Sequence, residues 1–94
     1  IYSALGDGVT YLLDVNNNSA TNGTNIQIYQ NTNCDAQKYK FKLNSDGTYT
    51  IYTKASKDQS CVEVKNALTT SGSNVQQWEI NGHPCQNWIL EAVN

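Results

Sequence analysis

Gly23-Thr24-Asn25-Ile26-Gln27-Ile28-Tyr29 is met again, 49 residues further on, as Gly72-Ser73-Asn74-Val75-Gln76-Gln77-Trp78. The register extends beyond this stretch. Asp14-Val15 upstream is matched by Glu63-Val64, and Gln37-Lys38-Tyr39 downstream by Gln86-Asn87-Trp88, every pair at the same offset without a gap. One offset held through three separate segments, with side-chain chemistry kept or nearly kept at each, marks a duplicated structural unit. The opening pairs as well: Ile1-Tyr2-Ser3 answers to Ile51-Tyr52-Thr53, and one extra residue falls in the turn holding Asp7-Gly8, against Lys57-Asp58 in the second copy. Two repeats, 1–47 and 48–94, thus account for a single domain of 94 residues.

Within each repeat the hydrophobic period is that of strands. Tyr49, Ile51 and Thr53 alternate with Thr48, Thr50 and Tyr52, and Tyr39 and Phe41 alternate with Lys38, Lys40 and Lys42, the pattern of half-buried strands. Asp46-Gly47 between them is a strong hairpin-turn signal. The reading predicts strands near 1–4, 11–15, 26–30, 37–43, 48–54, 61–65, 75–79 and 86–91, four short strands per repeat. Asn/Gly/Ser/Thr-rich turns fill 16–25 and 66–74.

Composition narrows the function classes. A chain this short buries only about 60 to 65% of the surface its unfolded form exposes, so its core is thin. With 38% hydrophobic and 15% charged residues, one Pro and no Met, it is polar but mostly uncharged, which argues against disorder and against a long helix. Net charge is −2 and the sequence holds no cluster of Lys or Arg, so nothing in it offers the basic surface that nucleic acid or an anionic membrane requires. No apolar run approaches the ~20 residues of a membrane span, and no basic stretch followed by an apolar one opens the chain. Because it begins at Ile1, it is expected to be a mature or excised piece of something longer. Cys34, Cys61 and Cys85 permit one disulfide in three alternative pairings. With no Cys-x-x-Cys pair and one His, a zinc site lacks ligands, and no cofactor is implied.

The three motifs resemble the repeat of ricin B-chain type lectins and family 13 carbohydrate-binding modules, whose pattern runs Cys-Leu-Asp-Val, then Gly-x-x-Val-Gln-x-Trp, then Gln-x-Trp. Here they read Leu12-Leu13-Asp14-Val15 and Cys61-Val62-Glu63-Val64, then Gly23 to Tyr29 and Gly72 to Trp78, then Gln37-Lys38-Tyr39 and Gln86-Asn87-Trp88. A lone Gln-x-Trp carries little weight; three motifs in order, twice, are specific. The resemblance implies an all-β fold, a β-trefoil of the ricin B type, incomplete because two repeats are present where the family has three. A repeat cannot cover its own apolar face, so a third trefoil repeat is expected from the parent chain or from a homo-oligomer in which three chains close two trefoils. The first is simpler.

By the same resemblance the chain is a secreted, extracellular module that binds polysaccharide or glycan, appended to a glycoside hydrolase, with galactose-containing chains or xylan as ligands. Family sugar sites pair an aromatic face, which covers the C–H face of a pyranose, with a carboxylate and amides that bracket its hydroxyls. Carried over by position, the first repeat offers Asp14 as the carboxylate, Tyr29 as the stacking platform, Gln37 as an amide partner and Gln27 beside the platform. Ala36 stands where the family usually has Asn, and Asn31, Asn33 and Asp35 in the adjacent loop are candidate replacements.

The second repeat offers Glu63, Trp78, Gln76 and Gln86, with Cys85 at the Asn position. Glu63 is one methylene longer than Asp, which displaces its carboxylate by more than about an ångström and ranks this site below the first, although Trp78 is the better stacking surface. Each residue also has a purely structural reading. The glutamines are suited to bonding backbone within the repeat, Tyr39 and Trp88 stand at family core positions, and Asp14 is able to cap the turn through Asn16 to Asn18. His83 in Gly-His-Pro reads as an ordinary loop residue. Cys61 matches a family half-cystine whose usual partner position is Ile80, which leaves Cys85 as the implied partner if the loop folds back, with Cys34 free.

No catalytic constellation is legible. A glycosidase needs two carboxylates about 5 to 10 Å apart across a cleft, whereas Asp14 and Glu63 occupy equivalent positions in different repeats. A single loop His supplies no base for a cysteine nucleophile at any recognisable spacing. A non-catalytic binding module is therefore expected, with a protein-interaction trefoil of the inhibitor or toxin-subunit type as the alternative, since a fold alone does not settle function.

Overall fold

The alternation read from the sequence becomes six strands of five residues each in a computed structural model that describes residues 1–92. Val93 and Asn94, the last residues assigned to the second repeat, lie outside the described residues. The strands are β1 (Tyr11–Val15), β2 (Ile26–Gln30), β3 (Tyr39–Leu43), β4 (Tyr49–Thr53), β5 (Ser60–Val64) and β6 (Val75–Glu79). β1 and β2 form an antiparallel pair, and β3 to β6 form a four-stranded antiparallel sheet in sequence order. The described residues contain 3-10 turns and no α-helix. The all-β expectation holds.

Two of the eight expected strands shrink to single bridges, Tyr2 with Leu12 and Tyr49 with Trp88. The backbone bonds Ser3 N to Tyr11 O and Leu13 N to Ile1 O flank Tyr2, but the chain then turns on the Ser3 hydroxyl, which accepts from Leu5 N. Beyond Trp88, Ile89 is exposed.

The duplication survives in detail. Asp14 faces Gln27 across β1 and β2, and Glu63 faces Gln76 across β5 and β6. After β1, Asn17 and Asn18 take left-handed backbone with φ of 56° and 53°; after β5, Asn66 and Ala67 take it with 58° and 53°. Asn tolerates that region because its side chain bonds locally, whereas Ala has no such compensation. Each repeat also has a 3-10 turn in front of the aromatic residue of its closing motif, Asp35–Gln37 before Tyr39 and Pro84–Gln86 before Trp88.

Val15, Ile26, Ala36, Ile51 and Val62 make the buried core, drawn from both repeats, with Leu13, Tyr39, Val75 and Trp88 leaning on it. Tyr39 and Trp88 thus take the packing role expected of them. The Trp88 indole N–H donates to Val62 O at 3.0 Å. The Tyr39 hydroxyl is buried without a hydrogen-bond partner among the described residues. On one side the core is not closed: Leu13, Ile26, Ile51, Val62, Val75 and Trp88 line an apolar hollow of about 280 Å³.

The repeats are joined by a seam in which the loop between β1 and β2 lies along β6. Gly23 N donates to Gln77 O and Gln77 N to Thr24 O, both at 2.8 Å, and Asn25 bridges Gln76. Gln77, wholly buried, fastens it with its side chain: Nε2 donates to Ser19 O at 2.9 Å and Thr21 O at 3.2 Å, and Oε1 accepts from the Thr53 hydroxyl at 2.6 Å. Asn22 Oδ1 accepts from Glu79 N.

Candidate ligand-binding hollows

Strand alternation and the tight turns after β1 and β5 aim side chains of both repeats into shallow hollows. The first, about 250 Å³, is lined by Asp14 from β1, Gln27 and Tyr29 from β2, the turn Asn16 to Asn18, and Thr32, Cys34 and Ala36. Asp14 is 5% exposed and Tyr29 is 47% exposed, so a sunken carboxylate stands beside an open aromatic ring. Among the described residues the carboxylate accepts one hydrogen bond, from Gln27 Nε2 to Oδ1 at 3.3 Å. A carboxylate offers about four acceptor sites, so most of the capacity of Asp14, which lines the hollow, is unused within the fold.

The second hollow, about 230 Å³, is lined by Glu63, Gln76, Trp78, Asn66, Ala67, Asn81, His83 and Cys85. Its carboxylate is occupied from within. Gln76 Nε2 donates to Oε2 at 2.9 Å, while Oε1 takes Gln86 Nε2 at 3.1 Å and Cys85 Sγ at 3.7 Å. The extra methylene of Glu63 carries it to these donors, and the same chemistry in the same register is committed to the fold rather than to the surface. Trp78 is only half-buried, with its ring edge close to Gly23 of the first repeat.

Gln37 and Gln86 do not line either hollow; both are buried. Gln37 donates to Gln30 O at 2.8 Å and accepts from Thr32 N at 3.0 Å, and Gln86 repeats this with Glu79 O and Asn81 N. Their amides brace the loop above each hollow. Asn31, expected beside the first site, instead lines a separate hollow with Ile1 and Tyr2, because its Oδ1 is held by Asn33 N in the turn after β2. Asn33 lines that same hollow and Asp35 a further one, so Thr32 is the polar loop residue that reaches the first hollow.

All three cysteines are free, which corrects the Cys61–Cys85 pairing. Cys61 is fully buried in β5 opposite Trp78, and burial, with the Glu63 charge adding to it, pushes its thiol up to about 12. Cys85 turns to Glu63 instead, and burial followed by that carboxylate raises its thiol as well. His83 is more than a bystander: its Nδ1 accepts from Cys85 N at 3.1 Å and holds the start of the turn at the second hollow. The isolation of His83 in sequence hid this. The phenol of Tyr39 is pushed well above its ordinary value, by burial first and the nearby Asp14 charge second.

One gathering of charge was invisible as spacing. Lys38, Lys40, Lys54 and Lys57 come together around another hollow, brought there by the pairing of β3 with β4. The expectation that the chain has no basic cluster holds along the sequence and fails in space.

The comparisons bear on both repeats. The family model for the ricin-type beta-trefoil lectin domain-like family matches residues 7–78 and 35–94. Among solved structures, the designed 3-fold symmetric protein ThreeFoil is similar at 30% identity with a TM-score of 0.78, over 85% of this chain and 56% of that one. The exo-beta-1,3-galactanase 1,3Gal43A from Clostridium thermocellum is similar at 30% identity with a TM-score of 0.80, over 86% of this chain and 17% of that one. The chain therefore spans about half of the first structure and a minor part of the second. Among curated proteins no sequence matches.

Proposed function

Because the chain belongs to the ricin-type β-trefoil lectin domain-like family, we propose that it is a non-catalytic carbohydrate-binding module whose working site is the first hollow. Its fold is an all-β, incomplete β-trefoil of two repeats. One observation carries the choice of site: the Asp14 carboxylate, sunken and with one internal hydrogen bond, stands beside the exposed ring of Tyr29. A pyranose fits that combination. Its apolar face lies on the ring, and adjacent hydroxyls donate to the free oxygen of Asp14 while Thr32 and the Asn16 to Asn18 turn bracket the fringe. Among the described residues Glu63 already accepts three internal hydrogen bonds against one for Asp14, which makes the second hollow the weaker site.

A single shallow site of this kind is worth about −4 to −6 kcal/mol, or roughly millimolar to tens of micromolar affinity, once ordering costs are met. Retention on a polymer then depends on several weak contacts acting together. On this reading the module works outside the cell and targets an attached glycoside hydrolase to galactose-containing polysaccharide or xylan. Its resemblance to part of a galactanase supports the galactose-containing choice. The open apolar hollow of the core supports a third repeat as partner, from the parent chain or from further copies of this one.

Affinity electrophoresis against galactan, xylan and arabinan tests the reading. Tyr29→Ala and Asp14→Ala are each expected to abolish retention without changing the melting temperature. Retention by the double variant would instead favour a protein-interaction trefoil.

A further inference from the structure

The six lysines are the whole basic complement of the chain, and no two are adjacent in sequence. Four of them nevertheless surround one hollow of about 500 Å³: Lys38 just before β3 and Lys40 within it, Lys54 and Lys57 in the turn after β4. Lys54 N donates to Lys38 O, which fixes the two segments side by side. Two aspartates share the rim. Asp58 pairs with Lys40 at 3.0 Å and Asp35 with Lys54 at 3.8 Å, which leaves Lys38 and Lys57 without a carboxylate partner among the described residues. Lys40 also lies over the Tyr52 ring, 5.2 Å from its centroid, and Lys57 holds a left-handed backbone with φ of 56°. A charged side chain is thus presented from a conformation that most residues avoid.

Position links this hollow to the first. Asp35 and Lys38 line the lysine hollow, while Cys34 and Ala36 line the hollow of Asp14 and Tyr29, so a single 3-10 turn separates the two. A polymer seated on Tyr29 that runs over this turn meets Lys38 and Lys57 next. We propose that the lysine hollow is a subsite for anionic groups, carboxylate or sulfate, carried by the polysaccharide bound in the first hollow. The inference rests on the reading of that hollow as a sugar site. Both unpaired ammonium groups are exposed point charges, so their attraction is modest, salt-sensitive and indifferent to the exact geometry of the anion. Two free lysines with no open aromatic row beside them suit a sparse acidic polysaccharide better than a nucleic acid, which asks for several phosphate contacts and base stacking.

The test compares polygalacturonate, a sulfated galactan and a neutral galactan on the whole chain and on the double variant Lys38→Gln/Lys57→Asn, Asn being chosen to tolerate the left-handed backbone. Near 10 mM salt, where the screening length is about 30 Å, the acidic chains should be retained more strongly than the neutral one, and the preference should fade near 0.1 M, where it is about 10 Å. The double variant should bind acidic chains about five-fold more weakly, as two exposed charge contacts imply, and neutral galactan unchanged. The stronger of the two acidic arms identifies the anion. Equal retention of acidic and neutral chains by the wild type, an unaffected double variant, or displacement by a single-stranded oligonucleotide as readily as by polygalacturonate would each overturn the proposal. Loss of neutral-galactan binding in every protein, with lysine-dependent retention of polygalacturonate kept, would fail the sugar reading of the first hollow and leave the anion subsite standing.

Discussion

Gln77→Leu should destabilise the protein by about 2 kcal/mol, although residue 77 touches neither hollow. The side chain is wholly buried and makes three bonds: two to the carbonyls of Ser19 and Thr21, one from the Thr53 hydroxyl. Leucine fills similar space but pairs with none of them. Thr21 is exposed, and water replaces its lost donor; Thr53 keeps the Ser56 hydroxyl at 2.7 Å. Ser19 O, half-buried, and the partly stranded Thr53 Oγ1 remain, each costing about 1 kcal/mol at the low end of the range for an unsatisfied buried group. For a small domain whose whole stability is about 5 to 15 kcal/mol the loss is large, and it should lower the melting temperature by roughly 8 to 16 °C. Urea unfolding followed by tryptophan fluorescence measures it. The equivalent position in the first repeat is Ile28, 47% exposed, where Ile28→Gln should change stability by less than about 0.5 kcal/mol. A shift for Gln77→Leu no larger than that for Ile28→Gln would refute the claim that the seam is held by this side chain.

Three further outcomes are expected. Ala67→Asn should stabilise the protein by about 1 kcal/mol, since it puts at φ 53° the residue that the first repeat already has there; thermal unfolding checks it. Bound polysaccharide should protect Cys34, which lines the first hollow, from alkylation and leave Cys85 unprotected, while Cys61 reacts only on unfolding; mass-mapped iodoacetamide labelling with and without ligand reads all three. Asp7 and Asp46 should titrate below ordinary aspartates in an NMR pH series, because Thr10 and Thr48 donate to them from side chain and backbone. Their depressed folded values mean a stabilising contribution present above the unfolded aspartate range and lost as pH falls through the folded values; Thr10→Val should return Asp7 toward the ordinary range.

The offset between Gly23 and Gly72 carried most of the architecture, because a duplicated motif fixes strand order and register together. It located β1, β2, β5 and β6 to within a residue and brought Asp14, Gln27 and Tyr29 to one hollow, and Glu63, Gln76 and Trp78 to another. What it could not convey is where equivalence breaks. Asp14 and Glu63 share a position, yet one methylene and the neighbouring Cys85 turn an open acceptor into a closed one. Ile28 and Gln77 share a position too, but only the second has a loop laid over it. The lysine hollow was hidden for a different reason: its two pairs, Lys38 with Lys40 and Lys54 with Lys57, are apart in sequence and meet only through the pairing of β3 with β4.

The seam has a direction. The strip 19–25 of one repeat clasps the strand of the next, so every repeat owns a clasp and a catch, and among the described residues just one of each is engaged. The strip 68–74, equivalent to the engaged clasp, lies almost wholly in solvent, and the catch around Ile28 on β2 is likewise bare. These two leftovers differ from each other, so no mirror-like pairing of two identical faces satisfies them. Only a guest that bears both halves, entering head to tail, fits between them.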